Sequence, residues 1–458
     1  MAKRRQLYLG VLSLLLFLLV LIFSLNFYLV NWLAAHERPR HDLDREPIQS
    51  VTASSLAAPL AYYEKDPQHG LLQLVENKHP KTARAVSIHA AVEAKVAKLK
   101  PVFKNKNPRY VPVKRGLRRS FEARNYNISS VWRIANSWPS RNEIFPQKDE
   151  RIGKTIKALQ EADVLKTRNT PRGTQLKLIF ELAGGQLAIF KPSWYERNTT
   201  IDGQVYSGKD RHNSEIVAFH LAAVLNLRWT PIVVGRRISL VEVYRLADDE
   251  LQSTMIKNDT RQCVYGKCHY CKESETICDH PETGMVEGAL LLLIPGKFAK
   301  YRSPWQRTYQ TGAAAEWEKN DSYCVKVKEQ LPLVRILDLI DVAVFDFLIQ
   351  NGDRHHYETR DDRVLLMDNG KGFGNPYTDH FDILAPLYQC CMIRRTTWER
   401  LQILSGGALT ESLLSLNVID LLQPLLTKEH YIGIERRLLL VYATVELCKE
   451  KYGSKVLK

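Results

Sequence analysis

Gln350-Asn351-Gly352-Asp353-Arg354-His355-His356, followed 15 residues past its aspartate (368 − 353) by Met367-Asp368-Asn369-Gly370, is the stretch whose reading decides the fold. Each aspartate follows a strong apolar run, residues 342–349 and 364–367, so each belongs to a loop at the end of a buried element. Two carboxylates on neighbouring loops suit a reaction that needs one for an acceptor hydroxyl and one for a metal ion. Kinases divide the work in that way.

Phosphoryl transfer also needs a cation to grip phosphate. Lys191 closes the apolar strand Leu187-Ala188-Ile189-Phe190-Lys191, where its ammonium emerges beside the nucleotide phosphates. Glu215 falls in the first turn of a helix expected over residues 214–225, in reach of Lys191 or a metal, although the macrodipole favours such a carboxylate on any helix. Lysine, helix glutamate, loop aspartate and metal aspartate then follow in the order of a protein kinase. The details differ. Asp-Asn-Gly stands for Asp-Phe-Gly, and Glu358 stands five residues after Asp353 (353 + 5) where asparagine is usual. That extra carboxylate reads as an altered metal preference toward manganese, or else as a surface glutamate. No Gly-x-Gly-x-x-Gly precedes Lys191; Gly173-Thr174-Gln175-Leu176-Lys177 takes its place. Arg354, His355 and His356 read as braces of the loop rather than metal ligands.

The chain has 458 residues, 45% of them hydrophobic and 25% charged, enough for a large two-lobed domain with an appendage. Residues 7–33 carry no charge and exceed the roughly 20 needed to cross a bilayer. They read as a signal anchor after a cytoplasmic tail of residues 1–6; a cleaved signal peptide is the alternative. Flanking charge does not orient the span. Four glycosylation sequons (Asn127, Asn198, Asn258, Asn320) and eight cysteines, all beyond it, favour type II topology with the rest in an oxidising lumen. Cys268-His269-Tyr270-Cys271 offers half a zinc site, but a disulfide-braced loop is simpler there. Adjacent Cys390 and Cys391 are poorly placed to bond each other, and Cys324 and Cys448 remain available; spacing leaves the connectivity open.

The net charge of +15 is partly concentrated in residues 95–119, ten basic and none acidic. Luminal topology excludes nucleic acid; a polyanionic glycan or lipid headgroup competes with a solvated stem, the favoured reading. Residues 34–130 are therefore a basic stem with one helix near 83–99. A domain of residues 131–450 follows. Its small lobe, about 131–295, has a helix over 152–164, strands over 175–182 and 186–191, the 214–225 helix, and a strand running to a hinge at Pro295-Gly296. Its large lobe, about 296–450, is mostly helical, with helices near 337–349, 395–405, 413–422 and 435–449. Residues 451–458 are a tail. The fold class is α+β: a bilobal, atypical protein-kinase-like fold braced by disulfides.

The departures taken together resemble one family, the secretory-pathway kinases called family with sequence similarity 20, relatives of four-jointed. The resemblance covers about residues 131–448 and rests on Gly173-Thr174-Gln175-Leu176-Lys177, Phe190-Lys191-Pro192, Asp210-Arg211-His212-Asn213-Ser214-Glu215, Asp353-Arg354-His355-His356-Tyr357-Glu358 and Asp368-Asn369-Gly370. Tyr265-Gly266-Lys267-Cys268-His269-Tyr270-Cys271 and residues 383–391 look most like its glycosaminoglycan xylosylkinase branch. The resemblance implies catalysis by Asp353, ATP binding by Gln175, Lys191, Glu358 and Asp368, and metal contacts by Glu215 and Asp368. It implies manganese, with magnesium as substitute, and disulfides Cys263–Cys278, Cys268–Cys271, Cys324–Cys390 and Cys391–Cys448. It implies a Golgi membrane location and, as acceptor, the 2-hydroxyl of xylose in the galactose–xylose linkage on proteoglycan serine, with family kinases or glycosyltransferases as partners. Rival readings are a serine kinase of secreted proteins, a lipid kinase and a pseudokinase scaffold. A fragment from about residue 131 is expected to be active.

Overall fold

Alternation builds the small lobe. In β2 (Leu178–Leu182) and along β3 (Gln186–Pro192) as far as Phe190 every second side chain is buried, and Ala183-Gly184-Gly185 turns the chain between them with both glycines at positive φ. The rings of Phe180 and Phe190 stack at 5.2 Å on the buried face. With β1 (Val164–Asn169), β4 (Val233–Ser239) and β8 (Met285–Leu292), these strands form an antiparallel sheet in the order β1-β2-β3-β8-β4. The computed structural model describes residues 83–170, 173–310, 313–354, 357–360 and 363–458, all within one compact unit. The anchor, the stem up to residue 82, and His355 and His356 lie outside the described residues. No helix among the described residues is long and apolar enough to cross a membrane.

The helix expected over 152–164 ends at Glu161, and β1 begins at Val164. That strand escaped the sequence reading because Val-Leu-Lys-Thr-Arg-Asn alternates weakly and leaves Leu165 exposed at the sheet edge. The helix His212–Leu225 is buried on every face, so it lacks an amphipathic stripe; Asn226, in the left-handed conformation, caps its end. A second sheet joins β5 (Met255–Asn258), β6 (Arg261–Val264) and β7 (Ile277–Cys278), with Cys263 and Cys278 directly opposite and disulfide-bonded.

In the large lobe, the helix Leu333–Ile349 is buried from Ile336 onward and delivers the chain to the Asp353 loop. A 25-residue helix, Lys428–Tyr452, packs beside it. The four disulfides pair as the family resemblance implies.

Two boundaries need correction. Residues 83–130, assigned to the stem, contain the helices Ala83–Ala97, Pro101–Lys104 and Tyr110–Phe121, and these pack on the folded body with Val92, Val96, Phe103, Leu117 and Phe121 buried. The Phe103 ring lies 4.9 Å from that of Tyr442 and 5.6 Å from that of Trp398. The abundance of Lys and Arg masked this apolar stripe; basic stems of long side chains tolerate a packed helix beneath them. The C-terminal residues are likewise docked: Val456 is buried, and Ile393 and Leu457 form a parallel bridge.

Candidate active site

Lys191, near the end of β3 and opposite Ala289 of β8, is buried with three carboxylates around its ammonium. Nζ lies 2.5 Å from Glu215 Oε1, 2.5 Å from Asp368 Oδ1 and 3.2 Å from Asp210 Oδ2. Burial acts to lower the Lys191 pKa, but Asp368, Glu215 and Asp210 outweigh it and hold the ammonium protonated well above its ordinary range. Lys177 and Lys191 in turn hold the Asp368 carboxyl far below the usual carboxylate range. The carboxylates differ in access: the Glu215 side chain is 0% exposed, that of Asp368 62%. Glu215 therefore anchors the lysine, while Asp368 faces outward.

Asp368 takes a left-handed conformation (φ 59), which turns its loop back toward the helix His212–Leu225. There Asn369 N–H donates to Glu215 Oε1 at 3.0 Å, Ser214 Oγ donates to the Asn369 carbonyl at 2.6 Å, and Arg211 N–H donates to the Gly370 carbonyl at 2.7 Å. Gly370 must be glycine, because a Cβ would lie 2.7 Å from Asp210 Cβ. Arg354 ties the two acidic loops together: its guanidinium donates to both Asp346 oxygens (2.7 and 2.8 Å) and to Asn369 Oδ1 (2.6 Å). The brace expected of Arg354 is thus present.

Asp353, half-buried, accepts a hydrogen bond from the Tyr309 hydroxyl at 2.9 Å. Burial first, then the Asp353 carboxylate, push the Tyr309 phenol upward, so it stays protonated as the donor. Tyr206 meets the Tyr309 ring edge-on at 4.9 Å. Gln175 is held to Asp210 by a reciprocal pair: Nε2 donates to Asp210 Oδ1 at 3.0 Å and Asp210 N–H donates to Oε1 at 2.7 Å.

Lys191, Glu215, Asp368 and Gln175 thus come together. Glu358 does not join them; it lies on the strand Tyr357–Arg360, half-buried and opposite Lys300. The sequence reading assigned no role to Asp210, Lys177 or Tyr309. The first two stand inside the quoted motifs; nothing local marks the third.

Asp368, with its exposed carboxylate, is a hard oxygen donor that fits a magnesium-like or manganese ion, whereas Glu215, the other metal contact that the resemblance implies, is fully buried and engaged by Lys191 and Asn369. Among the described residues no three acidic, imidazole or thiol groups form a closed metal cage. Ions of this kind ask for less, one or two carboxylates completed by phosphate oxygens and water.

A β-rich lobe supplying a buried lysine–glutamate pair, over a helical lobe supplying two loop aspartates, defines a kinase. The family model described as Golgi casein kinase, C-terminal, Fam20 matches residues 130–456, and the chain belongs to that family. It is 50% identical over 390 residues to the glycosaminoglycan xylosylkinase homolog of Drosophila melanogaster, covering 84% of this chain and 92% of that one. It is 42% identical to the glycosaminoglycan xylosylkinase of Homo sapiens, covering 72% and 82%. Identity to the human extracellular serine/threonine protein kinase FAM20C is 35%, covering 69% and 57%. Among solved structures, hydra Fam20 with sugar superposes with a TM-score of 0.68 at 40% identity, over 73% of this chain and 99% of that one. The Golgi casein kinase with Mn/ADP bound gives 0.69 at 28%, over 79% and 91%.

Proposed function

We propose that this enzyme transfers the γ-phosphate of ATP to the 2-hydroxyl of xylose in the glycosaminoglycan–protein linkage region, on the luminal side of the Golgi membrane, held by a type II anchor at residues 7–33. The observation that carries the acceptor is the gradient of likeness: 50% and 42% identity to xylosylkinases over most of their length, against 35% to a protein kinase. The four sequons all fall on exposed residues, which suits N-glycosylation in the same compartment.

The nucleotide supplies the phosphoryl group and its divalent ion, manganese or magnesium, neutralises developing charge. Lys191, fixed by Glu215 and Asp210, presents a permanent positive charge to phosphate oxygens. Asp368 offers its exposed carboxylate to the ion. Asp353, aimed by Tyr309, orients the sugar hydroxyl and accepts its proton. Glu358 is assigned to the nucleotide, as the family resemblance implies, from the strand Tyr357–Arg360.

The test is phosphate transfer by the secreted luminal chain, residues 34–458, with manganese-ATP and two acceptors side by side, a galactose–xylose glycoside and a casein-like protein. Labelling of the glycoside alone, abolished by Asp353→Ala, is expected. Labelling of the protein alone would move the chain to the serine-kinase branch, and ATP binding with neither product labelled would make it a scaffold.

A further inference from the structure

We propose that the Cys268–Cys271 loop is a clamp that positions the segment Gly173–Gln175 for nucleotide binding, so that affinity for ATP depends on this disulfide. The proposal deepens the phosphotransfer reading above and rests on it. The two cysteines are three residues apart, whereas Cys324–Cys390 and Cys391–Cys448 span 66 and 57. So short a loop removes little freedom from the unfolded chain, and its contribution to global stability is correspondingly the smaller. Its effect is local shape.

That shape bears on one segment. His269 N–H donates to the Gly173 carbonyl at 3.0 Å and Tyr270 N–H to the Thr174 carbonyl at 3.3 Å, so the residues inside the disulfide ring satisfy consecutive carbonyls of the segment. Cys268 Sγ itself lies 3.3 Å from the Thr174 carbonyl oxygen. The base of the loop is tied down independently: Lys267 N–H donates to Asn169 Oδ1 at 3.0 Å, and Gly266 approaches so closely that a Cβ would lie 2.3 Å from Leu176 Cδ1. Gly173, at φ 144, occupies backbone space that glycine alone enters freely, so the segment has little stiffness of its own.

The next residue carries the constraint into the site. Gln175 exchanges two hydrogen bonds with Asp210, and Asp210 Oδ2 accepts from Lys191 at 3.2 Å. A continuous set of contacts thus runs from the disulfide through Thr174, Gln175 and Asp210 to the phosphate-gripping lysine. Cys268 and Cys271 are half-buried and line the same small cleft as Gln175. The Cys263–Cys278 bond differs, since it joins strand partners that the sheet already holds in register.

The experiment substitutes Cys268→Ser together with Cys271→Ser in the luminal chain, residues 34–458, and measures manganese-ATP affinity by calorimetry. That readout needs no acceptor, so its outcome is independent of whether xylose is the substrate. Loss of preorganisation is expected to weaken binding about fivefold or more, with KM for ATP rising in parallel and kcat at saturating ATP within about twofold. Backbone amides of residues 173–176 should exchange faster, and Tm should fall by less than about 4 °C. Asn169→Ala keeps the disulfide and frees its base, and is expected to weaken binding in the same direction by about twofold. Unchanged ATP affinity in the variants overturns the clamp. So does a large fall in Tm of the serine variant with Asn169→Ala silent, because the bond is then a general brace.

Discussion

A buried charge pair makes the most direct prediction at the residue scale. Lys191 neutralises Glu215, whose side chain has no solvent access, so Lys191→Met alone strands a carboxylate in the interior. Breaking one partner of a buried pair costs about 3–5 kcal/mol, whereas replacing both with neutral groups is often close to neutral. Lys191→Met should therefore lower Tm sharply, and Lys191→Met with Glu215→Gln should recover part of it, since Asp210 still loses its cation, while phosphate transfer stays absent; calorimetric melting beside a transfer assay checks both. If Asp353 serves the acceptor hydroxyl as proposed, Asp353→Asn is expected to lower kcat by about 10²–10⁴-fold with ATP affinity retained. Lys191, Glu215, Asp353 and Asp368 were legible in the sequence because chemistry fixes their types and apolar runs fix their positions at element ends. Asp210, Lys177 and Tyr309 were not. Tyr309 meets Asp353 across 44 residues of sequence, and no local pattern encodes that closure.

At the scale of elements, the helix Tyr110–Phe121 shows how a basic segment becomes part of a fold. Glu411, in the helix Ala408–Asn417, accepts from the Tyr110 hydroxyl and from Lys106 Nζ, both at 2.7 Å, and pairs with Lys114. Burial acts to raise the Glu411 pKa, yet Lys106, Lys114 and Tyr110 prevail and bring it down to about 2. A depressed carboxylate stabilises the fold fully above its unfolded value, about 4.5, and that contribution is lost as pH falls through about 2. Glu411→Gln should accordingly cost about 1–2 kcal/mol at neutral pH once solvent screening is allowed for, and the gap to the parent should close on acidification toward pH 2. Urea unfolding at pH 7 and below pH 3 measures both. The sequence showed ten basic residues without an acid among them and suggested a solvated stem; the acidic partner of Lys106 and Lys114 lies about three hundred residues away, beyond any windowed reading. The strands β2 and β3 and the long helices were readable because their periodicity is local, while β1 and β4, with charged residues at sheet edges, were hidden.

For the whole molecule, the question is where the folding unit begins. Val92, Val96, Phe103, Leu117 and Phe121 are each under 6% exposed, and Phe103 fits between Trp398 and Tyr442 of the large lobe. At about 1.5–3 kcal/mol for each fully buried side chain, deleting the five removes on the order of 10 kcal/mol, comparable to the about 5–15 kcal/mol that a domain has in total. Truncation also uncovers the apolar groove that received them, a patch of the kind that promotes association. A chain starting at residue 131 keeps every residue of the catalytic cluster, so on site chemistry alone it should be active; on this energetic argument it should not stay folded. We therefore expect the fragment beginning at residue 131 to be secreted poorly and to aggregate, while one beginning at residue 83 or earlier is monodisperse and binds ATP. Comparing the two by size-exclusion chromatography and nucleotide titration decides it, and a soluble, ATP-binding fragment from residue 131 would show that the N-terminal helices are an accessory to the kinase fold rather than part of its core.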